Sequence, residues 1–486
     1  MEASDCQNLQ SYAGLFRGLS VEKGYRGTQI GPRRGPIVLL VLLAVALVLV
    51  GWKALSREAP SIQLAGNVKG IGLSTSLQFE VIDFQHRIKS VEVELTQNGR
   101  TFQVPTHEVS FGAGPPPWWK FWAKSRENSL TVTAMVGRKH LPELQEGRTS
   151  VHITALNNSW GRFFRGGKSE RTYDFPVRFH PPQVDVLTTQ HYVNQGGCDM
   201  VIFKVSPGTT ESGIQVGKYF FPSWPVKDSL QETRLCLFAY PYDLDPKTPA
   251  KILARDDAGN QTIANFNYQV FPKKFHTDTI NLTDTFMNRV VPAIMSQMPE
   301  LEDKGDLLEN YLEINGRLRQ VEAHQLVEFS KKTASHFLWT QPFLRLPSKT
   351  EAHFADARTY VYKGTVVDHQ VHLGFDLAGV EHMPVEAAND GVVVYASYFG
   401  IYGNAVVIDH GCGLQTLYGH MSSLKVKPGE TVKRGQVIGI SGETGLAGGD
   451  HLHFTVLLDG IPVNPIEWWD PHWIHDRIEA KLEPYR

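Results

Sequence analysis

The sequence predicts a multidomain, mainly β chain: an N-terminal transmembrane helix, two immunoglobulin-like β-sandwich modules, a helical connector and a C-terminal antiparallel-β domain. Three observations carry this expectation. A single uncharged apolar run lies near the N-terminus, short alternating segments separated by Gly, Pro and Asn-Gly turns fill the middle and the end, and helical spacing is confined to residues 283–338. At 486 residues the chain is too long for one core. Hydrophobic content of 42% and charged content of 20% suit folded domains, and a net charge of -2 gives no pull towards nucleic acid.

Residues 1–35 read as a cytoplasmic tail and Pro36 to Trp52 as the membrane-spanning helix. The run carries no charge and spans roughly 26 Å as a helix at about 1.5 Å per residue, within the about 17–25 residues a span needs. Arg26, Arg33 and Arg34 precede it, against Lys53 and Arg57 after it, so the balance puts the N-terminus in the cytoplasm. A cleaved signal peptide is the weaker reading, because the run begins late and no small-x-small site follows. The expectation is a single-pass anchor in a bacterial inner membrane, with everything beyond about residue 55 periplasmic or otherwise extracytoplasmic.

Residues 61–180 read as the first β-sandwich. Val91 to Leu95 alternates, and Asn98-Gly99 before Phe102 and Val104 is a two-residue hairpin signal, because both residues readily take positive φ. Leu130 to Val136 and Val151 to Ala155 read as further strands, whereas Gly114 to Trp119 is too proline-rich for helix or central strand. Trp118, Trp119 and Trp122 could stack on sugars, although core or interdomain packing is the better reading. After His180-Pro-Pro182 a second sandwich spans 181–272, with strands at Met200 to Val205, Leu235 to Ala239, Lys251 to Asp256 and Thr262 to Val270. Ala254 to Asn260 resembles the loop before the last strand of bacterial immunoglobulin-like modules. Of the four cysteines, Cys198 and Cys236 share this module. A disulfide between them, worth about 3–4 kcal/mol, and two buried thiols are both open.

In the helical connector, 283–338, Leu307, Tyr311, Ile314 and Leu318 share one face, and Asp306 with Glu309 starts a capping box. A helix covering the active site until displaced is the sharper alternative to a plain connector.

The C-terminal domain, 345–470, returns to β-character with many glycines, followed by a tail at 471–486. Gly391 to Tyr395, Ala405 to Ile408 and Gln436 to Ile440 are buried strands. His372 and Asp376 in His-Leu-Gly-Phe-Asp, with His451 and His453 in His-Leu-His-Phe, supply three metal ligands and a spare imidazole. A catalytic zinc needs three protein ligands, an open position and a nearby proton carrier. Residues i and i+2 of a strand face one side, so His451 and His453 can share a cleft.

The ordered set Ala357 to Tyr360, His372 to Ala378, Ala387 to Tyr395, Tyr402 to Asn404, Ile408 to Gly411, Leu417 to His420, Val426 to Gly439 and His451 to Phe454 resembles the lysostaphin-type (LytM-domain) zinc metallopeptidases, which cut peptide bridges in peptidoglycan. The resemblance covers about a quarter of the chain. It implies one Zn2+ held by His372, Asp376 and His453, with His420 and His451 handling protons. Departures are Phe375 for an Ile or Val, His382 for a Gly and Cys412 at a polar turn position; none removes a ligand. His369, His382 and His410 receive no role, His410 being read as turn support. Tyr402 and Asn404 could line the groove or support turns, and the glycines of Ser441 to Asp450 fit either substrate approach or flexibility.

The implied function is a membrane-anchored zinc endopeptidase that hydrolyses peptidoglycan cross-links by metal-activated water, with peptidoglycan as substrate and an unidentified regulatory protein as partner. The alternatives are a non-catalytic scaffold or activator of other wall hydrolases, and a protease of extracytoplasmic proteins.

Overall fold

The computed structural model describes residues 34–55, 59–83, 88–111, 128–159 and 165–485. Trp118, Trp119, Trp122, the Gly114 to Trp119 segment, Cys6, Arg26, Arg33 and Arg57 lie outside them.

The apolar run folds as helix α1 (Arg34–Leu55). Among the described residues no helix is long and apolar enough to cross a membrane, so the anchoring expectation is not carried by the fold itself.

The first module contains β1 (Ser61–Ala65), β2 (Thr75–Asp83), β3 (Ile88–Gln97), β4 (Arg100–Gln103), β5 (Thr106–Phe111), β6 (Asn128–Val136), β7 (Gly147–Asn157) and β8 (Lys168–Val177). Two antiparallel sheets, ordered β1-β2-β6-β5 and β4-β3-β7-β8, enclose a core that includes Leu77, Phe79, Leu95, Val132 and Ile153. Alternation drives this packing: along β7 every second residue from Thr149 to Asn157 is buried. Asn98 (φ 51°) and Gly99 (φ 75°) make the tight turn between β3 and β4.

The second module contains β9 (Val184–Val186), β10 (Tyr192–Asn194), β11 (Cys198–Val205), β12 (Thr209–Val216), β13 (Tyr219–Pro222), β14 (Trp224–Pro225), β15 (Thr233–Ala239), β16 (Ala250–Asp256), β17 (Gln261–Ala264) and β18 (Gln269–Phe271). Its sheets run β14-β15-β11-β9 and β13-β12-β16-β17. The single strand expected over Thr262 to Val270 is two: β18 leaves the sheet to pair in parallel with β10, while Phe266 turns into the core. Cys198 and Cys236 are free, buried thiols. Cys198 lies opposite Ala239 and Cys236 opposite Val201, an offset of about 10 Å along the strands that is beyond disulfide reach.

Helices α2 (Asp284–Gln297), α3 (Leu307–Glu313) and α4 (Arg319–Ser330) follow, the last two joined by a π-helical turn over Ile314–Leu318. The Asp306 carboxylate accepts the Glu309 N–H, and Tyr311, Ile314 and Leu318 are buried together. Helix ends at Ser330, short of the expected 338, because Thr333 and Ala334 turn to hydrogen-bond Asp409 instead.

The C-terminal domain begins with β19 (Thr277–Leu282), β20 (Lys349–Ala352), β21 (Asp356–Tyr362), β22 (Thr365–His372), β23 (Phe375–Ala378), β24 (Pro384–Glu386) and β25 (Gly391–Tyr398). It continues with β26 (Asn404–Asp409), β27 (Leu414–Met421), β28 (Ser423–Leu424), β29 (Thr431–Val432), β30 (Val437–Ile440), β31 (Leu452–Leu458) and β32 (Ile461–Val463). The main sheet runs β20-β23-β31-β27-β26-β25-β29, with β32 on β31, and β19-β21-β22 forms a smaller sheet beside it. Residues 471–485, expected as a tail, are instead helical and packed. Ile474 and Ile478 enter the core shared with the second module, and the Lys481 ammonium pairs with Asp199 at 2.5 Å. Glu467 accepts the Cys198 N–H and the Asn194 amide, both at 2.8 Å, across the same seam. Apolar burial at Trp468 and these charge-assisted bonds tie the second module to the domain that carries the site.

Candidate metal centre

Strand pairing builds the centre. His372 ends β22, Leu373-Gly374 turns the chain, and β23 lies antiparallel to β31 with Asp376 opposite His453. Gly374 permits the turn to sit over β31, since a Cβ there would lie 2.6 Å from both His453 Nε2 and Thr455 Oγ1. His453 faces Gly419 of β27. At that point β27 bulges, two residues (Gly419 and His420) opposing Ala405 alone. His420 takes φ 63°, a conformation that is uncommon for a side chain of its size and re-aims it into the site.

Three ligand atoms converge. His372 Nε2 lies 2.9 Å from Asp376 Oδ1, His453 Nδ1 lies 3.0 Å from the same oxygen, and the two nitrogens are 3.1 Å apart. Ligands around a tetrahedral zinc at about 2.0–2.1 Å stand about 3.3 Å from one another, so the triangle is close to that size. The second-layer bonds fix the tautomers. His372 Nδ1 donates to the His353 carbonyl at 3.0 Å, which leaves Nε2 as a lone pair. The Thr455 hydroxyl donates to the Leu373 carbonyl, so its oxygen accepts from His453 Nε2 at 2.9 Å and leaves His453 Nδ1 as a lone pair. Two lone pairs and a carboxylate oxygen thus meet with no proton between them. A cation satisfies all three, and this His-Asp-His group could hold a metal ion.

The other two imidazoles flank this point. His420 Nδ1 donates to Thr444 O and His451 Nδ1 to Gly449 O, both at 2.8 Å, leaving each Nε2 free. Their ring centres are 4.8 Å apart, and His451 Nε2 is 3.5 Å from Asp376 Oδ1. Burial pushes the Asp376 carboxyl up. Whenever a neighbouring imidazole is protonated instead of metal-bound, however, its charge and hydrogen bond, those of His372 first, outweigh burial and hold the carboxyl well below the usual carboxylate range. Burial, then the charges of His451 and His453, press His420 well below the ordinary imidazole value. For His451 burial acts downward too, yet the hydrogen bond and charge of Asp376 raise it.

Arg358 and Thr455 received no role from the sequence. Arg358 Nη2 donates to Asp376 Oδ2 at 3.2 Å, orienting the carboxylate from behind. Thr455 stands two residues beyond His453 on the same strand face, and that spacing was the available signal. Tyr402 packs its ring 5.3 Å from His453, whereas Asn404 bonds Met421 O and Thr444 and so supports the neighbouring turn. His410 bonds Asp390 O and Thr416 in the core, as turn support requires. His382 is an exposed partner of Asp450, and His369 is also exposed.

The centre opens into a cavity of about 600 Å³. One wall is helical, made by Phe286, Tyr311, Asn315 and Arg319. A larger cavity of about 740 Å³ lies between the two β modules, where Arg178 pairs with Asp257 and His180 with Glu146, remote from the histidines.

Residues 370–465 match peptidase family M23. The chain is 43% identical over 97 residues to the DD-carboxypeptidase/endopeptidase Mpg of Neisseria meningitidis serogroup B, covering 20% of this chain and 22% of that protein. It is 45% identical over 96 residues to the peptidoglycan DD-endopeptidase ShyA of Vibrio cholerae serotype O1, again 20% and 22%. The chain therefore spans less than a quarter of the length of these two relatives. The catalytic domain of lysostaphin from Staphylococcus simulans is similar at 27% identity, covering 25% of this chain and 92% of that domain, with a TM-score of 0.22. The likeness to peptidase family M23 is thus confined to residues 370–465, the stretch that holds His372, Asp376, His420, His451 and His453.

Proposed function

We propose that the chain is a zinc-dependent endopeptidase that hydrolyses peptide cross-links of peptidoglycan. The observation that carries this reading is the meeting of two imidazole lone pairs and one carboxylate oxygen, each held by its own second-layer partner. The names of the Vibrio and Neisseria relatives, both DD-endopeptidases, support the substrate class. Zinc held by His372, Asp376 and His453 would supply a Lewis acid that polarises the scissile carbonyl and brings the pKa of water down to about 7. His420 and His451, with Nε2 free, take the proton of the attacking water and return it to the leaving amine. Arg358 holds Asp376 in its ligating orientation.

Anchoring through the apolar sequence run Pro36 to Trp52 belongs to the same proposal, although helix α1 as described does not by itself meet the length and apolarity of a span. It is supported by an uncharged segment whose side chains are exposed all round, Leu39 at 64% and Val48 at 70% among them. The sheet orders β1-β2-β6-β5 with β4-β3-β7-β8, and β14-β15-β11-β9 with β13-β12-β16-β17, correspond to A-B-E-D and C-F-G layers and support immunoglobulin-like spacers. A reporter that is active only outside the cytoplasm, fused after residue 60, should be active; silence reverses the topology.

The decisive experiment compares the full chain with His453→Ala for metal content and for release of muropeptides from purified sacculi. The native protein should carry about one zinc and release muropeptides, and the variant should do neither. Metal-replete native protein that leaves sacculi intact but digests casein would favour a general protease. Loss of both activities in metal-replete protein would favour a scaffold.

A further inference from the structure

The helical wall lies outside residues 370–465, so what it presents to the cavity belongs to this chain and not to the matched domain. It presents a cation. Arg319 follows directly on the π-helical turn Ile314–Leu318, a widened turn of the kind that re-aims side chains at functional sites. Its Nε donates to Asn315 O at 3.1 Å and its Nη2 to Asn315 Oδ1 at 2.8 Å. Asn315 in turn donates to Asp368 Oδ2 of β22 at 2.8 Å, stapling the helix to the strand that ends at His372. Two of the five guanidinium N–H groups are thereby spent on positioning, and three remain.

No carboxylate claims them. Among the described residues Arg319 makes no ion pair. Glu322, one turn on, accepts the Ile401 N–H at 3.0 Å, and burial pushes its carboxyl up to about 8, so it does not neutralise Arg319 at pH 7. The acids lining the cavity are otherwise engaged: Asp376 by Arg358, Asp450 by Ser441 and the His382 N–H, and Glu351 by Lys349. Asp278 is an exposed residue that bonds its neighbour's N–H. A half-buried guanidinium with free donors, sharing a cavity with a hydrolytic centre, is built for the planar fork of a carboxylate.

We propose that Arg319 recognises a free carboxylate on the substrate residue next to the scissile bond. On the peptidoglycan cross-link already proposed, Arg319 then favours a residue whose scissile amine and free carboxylate sit on one carbon over its amidated form. The proposal rests on the peptidoglycan reading above and adds the chemistry of the residue beside the cut. Arg319 acts as a specificity residue, and the helical wall carries the discrimination.

The test uses the metal-loaded full chain and two synthetic cross-linked peptides, identical except for carboxylate or carboxamide beside the scissile nitrogen. Native protein should favour the carboxylate in kcat/KM by on the order of 10- to 100-fold, chiefly through KM, as expected for a charged hydrogen-bonded pair. Arg319→Gln should bring the ratio close to one, and Arg319→Lys should retain part of it. Equal cleavage of both peptides by native protein overturns the proposal without any variant and leaves the peptidoglycan reading standing. An Arg319→Gln protein with the native ratio overturns it as well. Cleavage of neither peptide by zinc-replete native protein removes the underlying reading, and this proposal with it.

Discussion

On one side of the cavity the functional side chains follow from pairing between adjacent strands; on the other they are set by a helix docked from elsewhere in the chain. His453 meets Asp376 because β31 and β23 pair in that register, and a one-residue slip would turn both away. Arg319 faces the same space because a π turn, the Asn315–Asp368 bond and the buried contact between Glu322 and Ile401 together hold α4 against the sheet. The strand side is a rigid assembly whose failure is all-or-none. The helical side is held by a few polar contacts, and it can tune the site without abolishing it.

The largest effect should come from the strand side at Gly374. A methyl group there would meet His453 Nε2 and Thr455 Oγ1 at 2.6 Å each. Gly374→Ala should therefore displace the ligand imidazole and cost roughly 100-fold or more in activity, because a misplacement of about 1 Å at a catalytic centre has that effect. Muropeptide release and bound metal, measured on the same preparation, should fall together. Near-native values for both would mean that the turn adapts and that the strand side is less rigid than argued.

That same strand side was the part legible in the sequence. His451 and His453 declare a shared face by their spacing, and the glycine step between His372 and Asp376 announces a turn between two ligands. Local periodicity also marked β3, β6 and β7, because each alternates against its own core, while β4 was marked by the Asn98-Gly99 turn before it. The helical wall was not legible in this way. Asn315 and Asp368 are 53 residues apart, and Glu322 and Ile401 are 79 apart, so no local pattern encodes their contact. The π turn was hidden for a related reason: Tyr311, Ile314 and Leu318 keep an apolar spacing that an ordinary helix satisfies equally. The bulge that aims His420 was missed because Tyr418 to Met421 gives no sign of an extra residue until its partner strand is known. The packed end at 471–485 looked like a tail because Ile474 and Ile478 bury against a module some 270 residues earlier in the chain.

Thr455→Val should separate the ligand triangle from its support. Valine keeps the shape and loses the oxygen that accepts from His453 Nε2, so the tautomer of His453 is no longer fixed. Loss of such a partner typically lowers metal affinity or activity by about 10- to 100-fold. A chelator competition titration should show the weaker affinity with an unchanged stoichiometry at saturating zinc. Unaltered affinity would place the selection of the tautomer with the metal alone.

Glu322 gives the smallest effect on catalysis and the clearest handle on the stability of the helical side. Its carboxyl is buried against Ile401, with one oxygen bonded to that N–H and the other without a partner among the described residues. Burial raises its pKa from 4.5 to about 8, the Ile401 bond and Arg319 opposing and Glu300 adding to the rise. A carboxyl whose folded value lies above its unfolded one binds its proton more tightly when docked. The stability it supports is therefore complete below about pH 4.5, declines as pH climbs towards about 8, and levels beyond. Over that window the loss is on the order of a few kcal/mol, enough to loosen α4 while leaving the strand-built ligand cluster folded. Glu322→Gln keeps the acceptor for Ile401 and has no proton to lose, so melting curves between pH 5 and pH 8 should show the variant gaining on native protein as pH rises. Parallel curves would mean that water reaches the carboxylate and that the helical wall draws its hold from elsewhere.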